Sequence, residues 1–168
     1  MRRRSLLQVG IAGTLLLATA GLGLSLATPA WRDGRLSPAA REVIDAISRG
    51  VLQGVLPEDP AARATALLAQ VNRIEHTIGG FPKPVQEELS LLLGLLTTAL
   101  GRVGLTGLNA AWAQASTEEV QSMLQALRTS SLDLRQQTYQ ALRDITYAAY
   151  YADRSAWVSL GYRGPTEV

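Results

Sequence analysis

The sequence predicts an all-α protein: a single compact domain of about five helices with one buried central helix, preceded by an N-terminal signal or anchor helix. Three observations carry this. Apolar residues recur at helical spacing along most of the chain, as in Ile44, Ile47, Val51 and Val55. No segment sustains the period-two alternation of a half-buried strand. Ser-Pro, Asp-Pro and Ser-x-x-Glu stand where helices would begin.

The opening reads MRRRSLLQVGIAGTLLLATAGLGLSLATPA. A basic start, an apolar middle and small residues at the end form a secretory pattern. The paired Arg3 and Arg4, followed after a spacer by Leu6 and Leu7, fit the bacterial twin-arginine form. That route exports proteins already folded. Gly10, Gly13, Gly21 and Gly23 weaken the apolar segment as a helix, which suits this route better than ordinary secretion. Two cleavage points fit, after Ala27 and after Ala30. The rival reading is an uncleaved anchor through residues 9–27, close to the roughly 20 residues of a membrane span. The chain therefore divides into a leader, 1–30, and a helical domain, 31–168.

The formal charge of +2 depends on that leader. Without Arg2, Arg3 and Arg4, 13 basic residues face 14 acidic ones. No basic stripe remains to read as a nucleic-acid face. The absence of cysteine excludes disulfide staples and thiolate metal sites, so stability must come from a packed core.

Helix one is expected to start at Ser37-Pro38, with Ser as N-cap and Pro at the first helical position. Ile44, Ile47, Val51 and Val55 form its apolar face, and Pro57 ends it. Helix two starts at Asp59-Pro60, carries Leu67, Leu68, Val71, Ile74 and Ile78 on its stripe, and stops at Gly79-Gly80. Helix three starts near Pro84, with Glu87 and Glu88 placed in its first turn. Its body, LSLLLGLLTTALGRV, is leucine-rich around nearly the whole circumference and reads as the buried central helix. The rival reading is a membrane span, opposed by Arg102 and by its short length. GLTGLNAAWAQAS reads as a loop or broken turn. Helix four opens on the capping box Ser116-Thr-Glu-Glu119 and buries Val120, Met123, Leu124 and Leu127. Helix five covers about Leu132 to Ala152, with Leu142, Ile145, Ala149 and Ala152 on one side. Arg143, Tyr147 and Tyr151 line the neighbouring side. The tail after it has one short turn at most.

Little in this inventory supports catalysis. His76 is the single imidazole, in the last turn of helix two, where a histidine interacts well with the helix's negative end. One histidine without cysteine makes a poor metal site. Glu87-Glu88 and Glu118-Glu119 are adjacent pairs, and adjacent helical residues diverge by about 100°. Gly101, Gly104 and Gly107 follow a helix, whereas a phosphate loop follows a strand. No catalytic, cofactor-binding or metal-ligating set can be assigned.

The aromatic residues are unevenly placed. Six of the nine lie after Leu134: Tyr139, Tyr147, Tyr150, Tyr151, Trp157 and Tyr162. Tyr, Trp and Arg are the residue types that most often carry interface energy. Arg143, Tyr147, Tyr150, Tyr151, Trp157 and Tyr162 are therefore the candidate partner interface. The competing reading is that these aromatics cement the tail onto helix five.

LSPAAREVIDAI near the start of the helical part and RQQTYQALRDITYAAYYADRSAWVSLGYRGP at the end resemble the small subunit, subunit 3, of periplasmic gluconate 2-dehydrogenase-type complexes. The likeness is most specific at Tyr150-Tyr151-Ala-Asp153, Trp157 and Leu160-Gly161-Tyr162-Arg-Gly164-Pro165. It implies a non-catalytic subunit without a cofactor of its own. The large subunit of such a complex is an FAD flavoprotein of the glucose–methanol–choline (GMC) oxidoreductase type, and a cytochrome c subunit commonly takes the electrons. The flavoprotein has no leader and crosses through the twin-arginine translocase bound to the small subunit. The alternative is an independent periplasmic or membrane-anchored helical scaffold or binding protein; an enzyme is the third class.

Overall fold

Ser37 fixes where the first helix begins. Its hydroxyl accepts the Ala40 amide at 3.2 Å, and Pro38 takes the first helical position. The computed structural model describes residues 29–159 and 161, so Arg3, Arg4, Leu6, Leu7, residues 9–27 and Tyr162 lie outside the described residues.

Helix α1 spans Pro38–Val51, and Ala40, Val43, Ile44, Ala46, Ile47, Ser48 and Gly50 are all buried. That burial exceeds one stripe, because helices pack on α1 from several sides. α2 (Pro60–Gly79), α3 (Lys83–Thr97), α4 (Thr117–Arg128) and α5 (Asp133–Tyr151) all contact it. A short α6 (Arg154–Ser159) follows. The fold is helical around a buried central helix, as predicted, but that helix is α1 and not the leucine run.

The leucine-rich α3 packs on α1 from one side, with Leu92, Leu93 and Leu96 buried and Leu89, Leu91 and Leu95 half-buried. It stops at Thr98. A single turn, Ala99–Gly101, and a π-helical segment, Arg102–Thr106, continue at 92° to it. Thr98 makes the corner: its hydroxyl donates to Leu95 O at 2.8 Å and accepts the Gly101 amide at 2.9 Å. Among the described residues no single helix is long and apolar enough to cross a membrane; α3 and the bent segment meet that test only taken together. Glu87 and Glu88 are the fifth and sixth residues of α3, just past the first turn in which they were expected, because the helix begins at Lys83.

The segment read as a loop between residues 104 and 116 enters the core. Leu105, Leu108, Trp112 and Ala115 are buried. The Trp112 indole donates to Leu96 O at 2.7 Å, satisfying a carbonyl at the end of α3 that has no helical partner. Arg49 closes the other side, donating to Ala115 O at 2.9 Å and to Trp112 O at 3.2 Å.

Two further corrections concern stripes. Val55 lies beyond the end of α1 and is 48% exposed, and Leu68 is 58% exposed on the outer face of α2. Where no strand was predicted, Trp31–Arg32 (β1) and Arg35–Leu36 (β2) form a two-stranded antiparallel hairpin before α1. Two-residue strands are too short to leave a periodic signal. Trp31 anchors the hairpin on α3, its amide to Ser90 Oγ at 3.0 Å and its indole to Gln86 Oε1 at 3.1 Å.

Gly101 and Gly104 make a controlled pair. A Cβ on Gly101 would stand 2.0 Å from Leu95 O, whereas one on Gly104 meets nothing within 4 Å. Gly101→Ala is expected to cost more than about 3 kcal/mol, because backbone must move to relieve the clash. Gly104→Ala is expected to change stability by less than about 1 kcal/mol, in the stabilising direction. Urea midpoints of the two variants, measured side by side, check this.

Burial raises the Glu88 carboxyl above its ordinary value. The folded state therefore holds this proton more tightly than the unfolded chain does. Its contribution to stability rises as pH falls from neutral through the raised value, and levels off below the ordinary carboxylate range. Glu88→Gln is expected to melt higher than the wild type at pH 7, with the difference shrinking toward pH 4. A difference that stayed constant over that range would contradict the assignment.

Candidate partner interface

α5 is built to show two faces. Thr138, Leu142, Ile145, Thr146 and Ala149 are buried against the bundle. Tyr139, Arg143, Tyr147 and Tyr151 recur every four residues, so they form one outward stripe. The Arg143 guanidinium lies 5.4 Å from the Tyr139 ring centroid, within cation–π range. It also pairs with Asp144 at 2.7 Å. The hydrogen bond to Asp144 raises the Arg143 pKa further, so the guanidinium stays charged, with the Asp144 carboxylate beside it. Tyr147 and Tyr151 are 38% and 39% exposed, with ring centroids 5.8 Å apart. Tyr150 is half-buried and meets Tyr151 edge-on at 5.2 Å.

Beside the stripe runs a groove between α4 and α5, with the end of α1 as its floor. Val51, Gln121, Leu124, Gln125, Tyr139, Arg143 and Tyr147 are among the residues that line it. α4 and α5 are joined by a short connection, which makes them antiparallel neighbours. The polar face of α4 therefore lies alongside the aromatic face of α5. Gln121 and Gln125, four residues apart, were not predicted as part of the site. Their spacing on the polar side of α4 was the available signal.

The end of α5 is held from α2. Gln70 is fully buried; its amide donates to Thr146 O at 2.9 Å and its carbonyl accepts from Arg73 at 3.1 Å. Arg73 reaches on to Asp153 at 2.8 Å. Just beyond, α6 is longer than the single short turn expected. It brings Trp157 back so that its indole donates to Tyr151 O at 2.8 Å, with Arg154 over the ring. Of the predicted interface, Arg143, Tyr147, Tyr150 and Tyr151 thus share one helix, and Trp157 is tied to its last residue. Trp157 is half-buried, which combines the cementing role with a partly presented ring.

The other candidate residues are spread apart. His76 is exposed in the last turn of α2, beside a shallow polar depression also lined by Arg41, Asn72 and Glu75. Arg41 there pairs with Glu75 and donates to Asn72 Oδ1 at 2.6 Å. Glu119 is spent on the capping box, accepting the Ser116 amide at 2.8 Å while Ser116 Oγ accepts the Glu119 amide at 3.1 Å. Among the described residues no group of three or more His, Asp or Glu is placed to hold a metal.

Compared with protein-family models, with curated proteins and with solved structures, the chain matches none.

Arg73→Ala is expected to loosen α6 and to weaken the bundle. The ion pair with Asp153 is about one-third exposed on both sides, so its own worth is about 1 kcal/mol or less. Its loss also leaves the buried Gln70 carbonyl without its donor. Limited proteolysis is expected to cut faster after Tyr151, alongside a loss of about 1–3 kcal/mol in stability from the unpaired carbonyl, read from the urea midpoint. An unchanged cleavage rate would show that Arg73 does not hold the tail.

Proposed function

We propose that this chain is the non-catalytic small subunit of a periplasmic oxidoreductase complex. It docks on an FAD flavoprotein of the GMC type, carries it through the twin-arginine translocase and stays bound to it afterwards. The observation that carries the docking role is the stripe of Tyr147 and Tyr151, more than one-third exposed beside Arg143 and a groove. Aromatic rings left at the surface next to an arginine are the usual composition of an interface centre. The twin-arginine pattern at Arg3-Arg4 and the likeness of 135–165 to subunit 3 proteins support the escort role. Chemistry in such a complex belongs to the flavin of the partner, with a cytochrome c subunit as a further member that accepts electrons.

Two arms of one fractionation experiment test this. With Arg3→Lys and Arg4→Lys together, this chain and the flavoprotein are both expected to remain in the cytoplasm. A flavoprotein that still reached the periplasm would remove the escort role and leave an independent envelope scaffold. With Tyr147→Ala and Tyr151→Ala, this chain is expected to be exported alone. Each truncation at an interface centre costs roughly 2 kcal/mol, about 30-fold in affinity. Flavin absorbance should then be lost from the co-purified material while helical circular dichroism is retained.

A further inference from the structure

We propose that one end of the bundle, formed by the bent segment after α3 and the connection from α4 to α5, rests on an anionic membrane surface. Leu100, Val103 and Leu132 enter the interface, and Arg102, Arg128 and Arg135 meet lipid phosphates around them. This contact is separate from the aromatic stripe and does not depend on the docking role given to that stripe.

Three apolar side chains are left outside the core at this end. Leu100 is 79% exposed, Leu132 60% and Val103 43%. They come from separate parts of the chain, and the fold gathers them. The corner at Thr98 swings Leu100 and Val103 away at 92° from the leucine-rich helix that the core covers. Arg135, in the first turn of α5, donates to Thr106 O at 3.4 Å and to that extent ties α5 to the bent segment. The Arg135 amide in turn donates to Leu132 O at 3.0 Å, and the bent segment also touches α4. Exposed apolar residues scattered singly are ordinary, but several brought to one end mark a contact surface.

Charge decides the kind of surface. Residues 89–117 contain Arg102 and no other charged side chain. Arg128, exposed at the end of α4, and Arg135 flank Leu132 along the chain. Among the described residues none of these three arginines forms an ion pair. Asp133, exposed beside Leu132, is the one carboxylate between Arg128 and Arg135, so cations outnumber anions here. Arg102 reaches only the carbonyls of Leu108 and Asn109, at 3.3 and 3.4 Å, and Arg135 only that of Thr106. A guanidinium has five N–H donors, so most remain for phosphate oxygens. Arginine stems also lie along apolar surface while the charge stays in the headgroup layer. A fluid anionic surface complements apolar tips rimmed by cations without needing a fixed shape.

The absence of cysteine makes a site-specific test direct. Leu100→Cys, Leu132→Cys and, on the outer face of α2, Leu68→Cys are made singly in the full chain and labelled with a polarity-sensitive fluorophore. Each is mixed with vesicles of phosphatidylcholine plus phosphatidylglycerol, or of phosphatidylcholine alone, with flotation to read binding and circular dichroism to confirm the fold. With the anionic vesicles the emission at Leu100 and Leu132 is expected to shift to the blue, and that at Leu68 to stay unchanged. Arg102→Gln and Arg128→Gln together are expected to raise the lipid needed for half the Leu100 shift, by about fivefold for each charge removed. Flotation without a shift at Leu100 and Leu132 would assign the membrane contact to residues 1–28 and overturn the proposal. An equal shift at Leu68, an equal response to phosphatidylcholine alone, an unchanged lipid requirement in the arginine variant, or no binding at all would overturn it too.

Discussion

The guanidinium of Arg49 is the constraint on which the arrangement of the bundle depends. It leaves α1 near its last turn and satisfies the carbonyls of Trp112 and Ala115, in a stretch with no regular secondary structure of its own. Irregular chain is normally kept at the surface because its polar backbone has no partners inside. Here Arg49 and the Trp112 indole supply partners, so Leu108, Trp112 and Ala115 can be buried with the helices. The same clamp sets Ser116 at the head of α4, directing that helix back across α1. At Gly50 the two helices approach so closely that a Cβ would stand 2.7 Å from Val120 Cγ1. An arginine one residue before that contact is well placed to fix it.

Much of this was legible locally. Ser37, Asp59 and Ser116 each cap a helix through the hydrogen bond their residue type predicts. The buried faces of α4 and α5 follow their apolar periods, apart from Ala152, which caps α5 and is exposed. What could not be read was set by long-range contact. Leucine density pointed to α3 as the centre, but density measures how apolar a helix is, not how many neighbours it has. α1 is central although much of its buried surface is Ala, Ser and Gly, because small residues let helices come close. The break at Thr98 was hidden in a run of good helix formers. The clamp of Arg49 was invisible because a surface arginine and a clamping arginine look the same in sequence.

The candidate interface was legible to a different degree. The four-residue spacing on α5 placed Arg143, Tyr147 and Tyr151 on one stripe, and the structure has them there with Tyr139 added. The opposing wall on α4 required knowing which helix lies alongside. The anchoring of the stripe's far end required knowing that Gln70 and Arg73 of α2 reach it. Asp153, noted only for its likeness to a family pattern, emerges with a mechanical role: it ties the end of the aromatic helix to the neighbouring α2.

The placement of α1 also governs when the molecule can become complete. α1 is made first of the five long helices, yet its partners come late. Arg49 waits for a carbonyl 66 residues downstream, and the amide of Gln121 reaches back 71 residues to Gly50 O. Arg73 finds Asp153 only 80 residues later. Ordering of this kind makes closure non-local and slow relative to helix formation. The central helix stays only partly covered until α4 and α5 have been synthesised, so the last long helix acts as a completion signal for the first. Because α5 also carries the aromatic stripe, the surface proposed for docking and the closing of the core arrive in the same step of synthesis.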